Sequence, residues 1–170
     1  MRDPLFFFGS LRDADLFAIV AGRPLGDFAV TAAVLVDRRA ERAENEAYPV
    51  LVEAPGARAE GILVHGLDPE IVARIAFYET TDYVLGPVEV VAGGEPVAAH
   101  CFHATEILPS SGEWWCIDHW SRAGKPLALH AAELAMGHYG RVSHEDVAAV
   151  WPEIYREAAR RLAAAERLSA

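Results

Sequence analysis

Short apolar runs, separated by polar or glycine-containing segments, occupy the first two thirds of the chain. Their length and their content of β-branched and aromatic residues are typical of buried strands. Strands are predicted at residues 5–8, 28–36, 48–53, 59–67, 84–91 and 96–104. The polar residues 39–47 predict an exposed loop, residues 54–58 a turn, and the glycine pair at 93–94 a hairpin.

Two stretches in this part of the chain carry the end signals of helices. Apolar residues recur at helical spacing after Asp13, which can cap a helix, and Gly22 ends the pattern. Asp68 and Pro69 are typical of the first positions of a second helix. Strands outnumber helices, so residues 1–108 are predicted to form an α+β domain.

The last third of the chain has a different composition. Three tryptophans lie close together at residues 114–120, and helices are predicted at residues 125–139 and from Ser143 to about residue 168. Pro152 falls inside the second of these helices and can split it. We therefore expect a helical extension at residues 109–170 that packs on the first domain.

The overall composition is that of a globular protein. The chain has 170 residues, of which 52% are hydrophobic and 24% charged, with a formal net charge of −10. An acidic chain without a basic stripe argues against nucleic acid as a partner. The apolar run at residues 5–8 is too short for a signal peptide, and no run approaches membrane-spanning length. We expect a soluble, cytoplasmic protein with no membrane partner.

Glu79 is the first candidate for chemistry. It lies at the end of the second predicted helix, next to apolar and aromatic residues. A carboxylate at a helix C-terminus is mildly unfavourable, because the helix dipole favours cations there. Either the side chain faces water, or it packs against its aromatic neighbours with a raised pKa, in which case it can take up and return a proton.

The second candidate is the turn at residues 8–11, Phe-Gly-Ser-Leu, where the first strand stops. A strand that breaks into a glycine turn leaves consecutive backbone N–H groups unpaired, and such groups can bind a carboxylate or an oxyanion. The alternative is a turn that serves only the geometry of the chain.

The chain has two cysteines, which do not make a disulfide scaffold. Cys101 and His103 share one face of a predicted strand, and Cys116 and His119 follow thirteen residues later. These are zinc-ligand types, but their spacing is irregular and the strand pattern also fits a buried Cys101. No metal is predicted, and a site at these four residues is kept as an alternative.

Taken in order, three segments resemble the γ-glutamylcyclotransferase family, including its AIG2-like members. "FFFGSLRD" at residues 6–13 resembles the family's opening Tyr-Gly-Ser/Thr turn, and "YPVLVE" at residues 48–53 resembles the Tyr-Pro strand that follows. "AEGILVHGLDPEIVARIAFYETTDYV" at residues 59–84 resembles the segment that holds the catalytic glutamate. That glutamate falls on Glu79, and the tyrosine of the same motif falls on Tyr83.

Three positions depart from the family's pattern. The opening tyrosine is Phe8, the aspartate three residues before the glutamate is Ala76, and the glycine after it is Thr80. Glycine allows backbone angles that a β-branched threonine tolerates poorly. The glutamate itself is retained, which argues against a simple loss of activity.

The resemblance implies a small mixed β-barrel with flanking helices and a site at the barrel mouth. It implies an enzyme of acyltransferase or lyase type that releases 5-oxoproline from a γ-glutamyl amine or peptide. Glu79 would act as general acid and base, and no cofactor is required. The residues expected to bind the γ-glutamyl substrate are Phe8, Gly9, Ser10, Leu11 and Tyr83.

The extension at residues 109–170 resembles the helical tail of bacterial family members that are sometimes joined to a Nudix hydrolase domain, although the chain contains no Nudix box. A homodimer or a Nudix-type protein is therefore kept open as a partner. The alternative to an enzyme is a non-catalytic module on the same scaffold that binds a small ligand or a partner. The departures at Phe8, Ala76 and Thr80 motivate this alternative.

Overall fold

The computed structural model describes residues 3–106 and 108–169, in which six strands and five helices are found. The strands are β1 (Leu5–Phe7), β2 (Ala29–Ala43), β3 (Pro49–His65), β4 (Tyr83–Ala92), β5 (Glu95–Ala104) and β6 (Ser110–Trp114). The helices are α1 (Ala14–Ala21), α2 (Pro69–Glu79), α3 (Ile117–Ala123), α4 (Lys125–Met136) and α5 (His144–Ser169). Short 3-10 turns occur at Ser10–Arg12 and Leu25–Asp27.

The strands form one mixed sheet in the order β3-β1-β5-β4-β2-β6, and β2 also pairs with β3. This additional pairing closes β1 to β5 into a ring and leaves β6 outside it. Two of the strand pairings that close the ring are short. Strand β1 pairs with β5 at Leu5 and His100, and β2 pairs with β4 at Val34 and Val91. The predicted α+β class is confirmed, as a strongly curved sheet rather than a regular barrel.

Strands β2 and β3 form a long hairpin that corrects two of the sequence predictions. Residues 39–42, predicted as loop, continue β2 and pair with residues 49–52 of β3. Residues 54–58, predicted as a turn, lie inside β3. The polar residues were misleading because the side chains of Ala40, Glu41 and Ala43 among them are buried.

A β-bulge explains why the sequence predicts several short strands in place of this long hairpin. The register between β2 and β3 shifts between Val36 and Arg38. Asp37 adopts φ 57° and Gly56 φ 81°, and the Asp37 carboxylate accepts a hydrogen bond of 2.7 Å from the Gly56 amide. A bulge bends a strand without ending it, so the turn-like residues of this segment do not mark a chain reversal.

The helices of the first part begin and end as the sequence predicts. The Asp13 carboxylate accepts hydrogen bonds from the first-turn amides of α1, and Gly22 ends that helix with φ 75°. Asp68 caps α2 through a 2.9 Å hydrogen bond from the Ile71 amide. The hairpin of β4 and β5 is also confirmed, with glycines 93 and 94 at its turn.

The segment from residue 109 onward is helical except for β6, which the sequence analysis missed together with α3. Strand β6 pairs with β2, and the side chains of Trp115 and Trp120 lie in the same core cluster as those of β1 and α1. Helix α5 continues through Pro152 without being split. A domain boundary at residue 108 stays a prediction.

Close packing between β1 and β3 depends on one glycine. A Cβ atom on Gly61 would lie 2.3 Å from the Phe6 ring, so a larger residue would force the two strands apart.

Lys125, at the start of α4, forms ion pairs of 2.8 Å with Asp13 and 2.7 Å with Asp15 that tie the extension to α1.

Within residues 3–106 and 108–169, no helix is both long and apolar enough to cross a bilayer.

Candidate active site

A cavity lies between the end of β1, the end of α2 and helix α5. Its empty space, counted together with open solvent at its mouth, is about 710 Å³. All the site residues predicted from the sequence are among those that line it: Phe8, Gly9, Ser10, Leu11, Glu79 and Tyr83. The structure therefore brings together two candidates that are about seventy residues apart in the chain, and the alternative of a water-facing Glu79 on a separate face does not hold.

Glu79 is the last residue of α2 and is half-buried at the cavity wall. The helix is anchored by the buried side chains of Ile71, Ile75 and Phe77, which determine where its C-terminal end lies. Burial of the carboxyl, with a smaller contribution from the negative charge of Asp82, raises the pKa of Glu79 to about 8. The carboxyl is therefore mostly protonated at neutral pH and can exchange a proton with a bound molecule.

Thr80 follows Glu79 in a backbone conformation that favours glycine. Its φ of 58° and ψ of −147° are strained for a residue with a Cβ atom, and it is buried. The Thr80 hydroxyl accepts a weak hydrogen bond of 3.4 Å from the Asp82 amide. Glycine, which the family pattern has at this position, would adopt these backbone angles without strain.

Replacing Thr80 with glycine is expected to raise the free energy of unfolding by about 1 kcal/mol, because glycine removes a strain of roughly that size or more. Thr80→Ala is the matched control: it keeps a Cβ in the strained conformation and also loses the hydroxyl, so it should be less stable than the wild type. Urea unfolding of the three proteins measures both differences. A glycine variant less stable than the alanine variant would contradict the expected strain.

The turn after β1 forms part of the cavity wall. The turn is closed by hydrogen bonds from the Arg12 amide to the Gly9 carbonyl (3.1 Å) and from the Asp13 amide to the Ser10 carbonyl (2.9 Å). The first N–H groups of a helical turn have no acceptor within it. In the described part of the chain, no backbone acceptor pairs with the amides of Gly9, Ser10 or Leu11. These amides can therefore serve a bound anion.

Tyr83 connects two walls of the cavity. Its hydroxyl donates a 2.8 Å hydrogen bond to the Pro49 carbonyl, and its ring packs edge-on against Tyr48 at 6.3 Å. Burial raises the pKa of Tyr83 above its ordinary value, so the phenol keeps its proton. Its O–H is already committed to Pro49, and towards a ligand the oxygen can act only as an acceptor.

The structure adds lining residues that sequence reasoning missed. These are Phe6, Phe7, Tyr48, Pro49, Tyr78, Thr80, Asp82, Phe102, Trp151 and Tyr155. Trp151 and Tyr155 come from α5, where their spacing of four residues places them on one face of the helix. That spacing was visible in the sequence, but nothing in it showed what the face contacts.

The alternative of a zinc site is not supported by the structure. The Cys101 thiol lies 3.3 Å from His103 Nε2, and burial raises the pKa of Cys101 to about 12, so the thiol keeps its proton. Among the residues that the structure describes, which include Cys116 and His119, no three His, Cys, Asp or Glu side chains are grouped to hold a metal ion.

The fold is similar to that of several solved structures, one of which is named gamma-glutamyl cyclotransferase. The solution structure of At5g39720.1 from Arabidopsis thaliana has a TM-score of 0.58 at 20% identity, covering 74% of this chain and 85% of that one. A structure named gamma-glutamyl cyclotransferase has a TM-score of 0.54 at 14% identity, covering 89% of this chain and 98% of that one. The structure of uncharacterized protein loc79017 from Homo sapiens also has a TM-score of 0.54, at 15% identity, with coverages of 88% and 98%.

The family model described as gamma-glutamyl cyclotransferase, AIG2-like, matches residues 5–122. The chain therefore belongs to this family, as its sequence motifs predicted. The solved structures share 20% identity or less with it, so their similarity shows the fold alone. A comparison with curated proteins finds no match.

Proposed function

We propose that this protein is a γ-glutamylcyclotransferase-type enzyme that releases 5-oxoproline from a γ-glutamyl amine or peptide. One observation carries the proposal: the protonatable carboxyl of Glu79 and the unpaired amides of residues 9–11 border the same cavity. Family membership supports the reaction type.

The proposed reaction is intramolecular. The α-nitrogen of the γ-glutamyl group attacks its own γ-carbonyl carbon, a C–N bond closes the five-membered ring, and the original amide C–N bond breaks. The products are 5-oxoproline and the free amine, and no water is consumed. The Glu79 carboxylate takes a proton from the α-ammonium group, and the resulting carboxylic acid returns it to the leaving nitrogen. The ring nitrogen becomes positively charged when it attacks the carbonyl, and it then loses its second proton to the released amine, which departs as an ammonium ion.

The turn amides are proposed to stabilise negative charge on the substrate. Gly9, Ser10 and Leu11 can donate hydrogen bonds to the substrate's α-carboxylate or to the oxyanion that forms at the γ-carbonyl. A well-placed donor to such an oxyanion contributes about 3 kcal/mol to the stability of the transition state. The nucleophile belongs to the substrate itself, so the remaining task is to fold the γ-glutamyl chain, for which Phe8 and Tyr83 provide fixed walls.

The direct test is to incubate the purified protein with a panel of γ-glutamyl amines and γ-glutamyl dipeptides and to measure 5-oxoproline by chromatography. We expect catalytic release from at least one compound. Binding of these compounds without release of 5-oxoproline would favour the non-catalytic binding module instead.

The pH dependence of the reaction should follow the environment of Glu79. As the base must be deprotonated, kcat/KM is expected to rise with pH through a midpoint near the Glu79 pKa of about 8. Asp82→Asn removes a negative charge that raises this pKa, so the rise should move to lower pH. Burial is the larger cause and remains, so the midpoint should still lie above the ordinary range of a carboxyl group.

The matched control is Asp118→Asn on α3, an exposed aspartate that does not line the cavity. Its pH profile should coincide with that of the wild type. An Asp82→Asn profile that stays in place, or one that moves to higher pH, would contradict the assignment of Glu79 as the titrating base.

A further inference from the structure

The cavity has an unusual balance of charge. Among the described residues that line it, two are carboxylic acids, Glu79 and Asp82, and none is lysine, arginine or histidine. Glu46 lies just outside the lining, where burial and the nearby charge of Asp82 raise its pKa. A ligand that carried a second anionic group would meet these carboxyls without a cation to pair with it.

Aromatic rings from α5 and from the end of α2 line the same cavity, and the Tyr155 ring lies near Glu46. The Trp151 ring lies 5.7 Å from that of Tyr78 at an interplanar angle of 73°, and 5.8 Å from that of Tyr155 at 78°. These near-perpendicular rings therefore present faces in different directions. The face of an aromatic ring carries negative electrostatic potential and attracts organic cations.

Packing alone does not explain this wall. The three rings contact the core cluster between α2, α4 and α5, which accounts for their buried surface. Each ring is nevertheless half-buried and also contributes to the cavity lining. Trp151 and Tyr155 lie beyond residues 5–122, the part matched by the family model, so family membership assigns them no role.

We propose that this side of the cavity binds a cationic amine, so that the leaving group of the γ-glutamyl substrate carries a second, positively charged ammonium held against Trp151 and Tyr155. The inference rests on the proposed function, because it names the class of amine that is released. A diamine joined to the γ-glutamyl group through one nitrogen meets this description.

The two sides of the cavity then match the two ends of such a substrate. The γ-glutamyl end carries an α-carboxylate, which suits the free amides of residues 9–11. The amine end carries a cation, which suits aromatic faces and the charges of Asp82 and Glu46. A leaving amino acid would instead bring a carboxylate to the acidic side, so γ-glutamyl amino acids should be poorer substrates.

Three substrates with the same γ-glutamyl group test this directly: the mono-γ-glutamyl conjugates of 1,5-diaminopentane, pentylamine and 5-aminopentanoic acid. They end in an ammonium, a methyl group and a carboxylate, respectively. We expect kcat/KM for 5-oxoproline release to be about tenfold higher for the ammonium than for the methyl compound, equivalent to about 1.4 kcal/mol. The carboxylate compound should be the poorest of the three.

Substitutions at the aromatic residues test whether they cause the preference for the ammonium compound. Trp151→Leu should reduce the ratio of ammonium to methyl activity towards one, whereas Trp151→Phe keeps an aromatic face and should retain most of the ratio. The matched control is Trp114→Leu, at a tryptophan on β6 that is 74% exposed and does not line the cavity. The control should leave the ratio unchanged, and circular dichroism checks the fold of each variant. If Trp151→Leu does not fold, Tyr155→Leu serves in its place.

Calorimetric binding of the same compounds separates this inference from the proposed function. Binding is measured at neutral pH to Glu79→Gln, in which the amide replaces a carboxyl that is mostly protonated there. Equal activity and equal binding for the three compounds would overturn the cationic subsite while leaving the cyclotransferase intact. Tighter binding of the ammonium compound with no 5-oxoproline from wild-type protein would support the subsite and refute the enzyme.

Discussion

Glu79→Gln is expected to reduce the kcat/KM for 5-oxoproline release by about 10²- to 10⁴-fold, the range typical for the loss of a positioned general acid–base group. Glutamine has nearly the same size and can still form hydrogen bonds, but it cannot take a proton from the α-ammonium or return one to the leaving nitrogen. The loss should appear mainly in kcat, because the interaction that is removed belongs to the transition state.

The matched control for this substitution is Glu153→Gln on α5. Glu153 is exposed, pairs only weakly with Arg156 at 3.8 Å and does not line the cavity. Its activity should stay within about twofold of the wild type, since substitutions of exposed residues usually have small effects. If Glu79→Gln retains comparable activity, Glu79 is not the base and the proposed mechanism fails.

The same substitution is expected to make the folded protein more stable at high pH. The pKa of Glu79 is raised from 4.5 to about 8 by folding, so the folded state holds a proton that the unfolded state releases between these values. The folded state binds more protons in this window, and the free energy of unfolding therefore falls as pH rises through it. The loss is on the order of 3–5 kcal/mol by pH 9, because each pKa unit corresponds to about 1.4 kcal/mol.

Glutamine at position 79 does not titrate, so it avoids this loss. Urea unfolding at pH 5 and pH 9 should show a free-energy difference between Glu79→Gln and wild type that grows in favour of the variant at the higher pH. Other titrating groups contribute equally to both proteins and cancel in the comparison. Glu153→Gln should show no such growth, and a pH-independent difference for Glu79→Gln would mean that the carboxyl is not buried.

Together, these two expectations state that Glu79 costs stability and supports activity. A carboxyl whose charged form is destabilised by burial is unfavourable for the fold above neutral pH, yet a pKa near the working pH is what a general acid–base catalyst requires. A structural role for Glu79 predicts the opposite sign, with Glu79→Gln less stable than the wild type.

Local signals in the sequence were sufficient wherever a few neighbouring residues decide the structure. Asp13 and Gly22 mark the ends of α1, Asp68 begins α2, and the glycines at 93–94 turn the hairpin, because caps and turns depend on backbone angles and hydrogen bonds within a few residues. The order of the motifs also placed the chain in its family.

Local signals failed where pairing between distant strands determines the secondary structure. Residues 39–43 look like a polar loop, but Glu41 is buried between β3 and β6, where it contacts Arg39 and Ser110. Residues 54–58 contain Pro and Gly and resemble a turn, yet pairing with β2 absorbs them into a bulged strand. A polar residue or a glycine is compatible with either structure, and the pairing partner selects between them.

The environment of the site is also determined by distant parts of the chain. The sequence made Glu79 and the turn at residues 8–11 candidates for the site but left open whether the glutamate faces water. Only the tertiary structure places Glu79 in a cavity that is also lined by residues of β1, the β2–β3 hairpin and α5. A pKa depends on the dielectric and the charges within several ångströms, and folding assembles these from segments far apart in the chain.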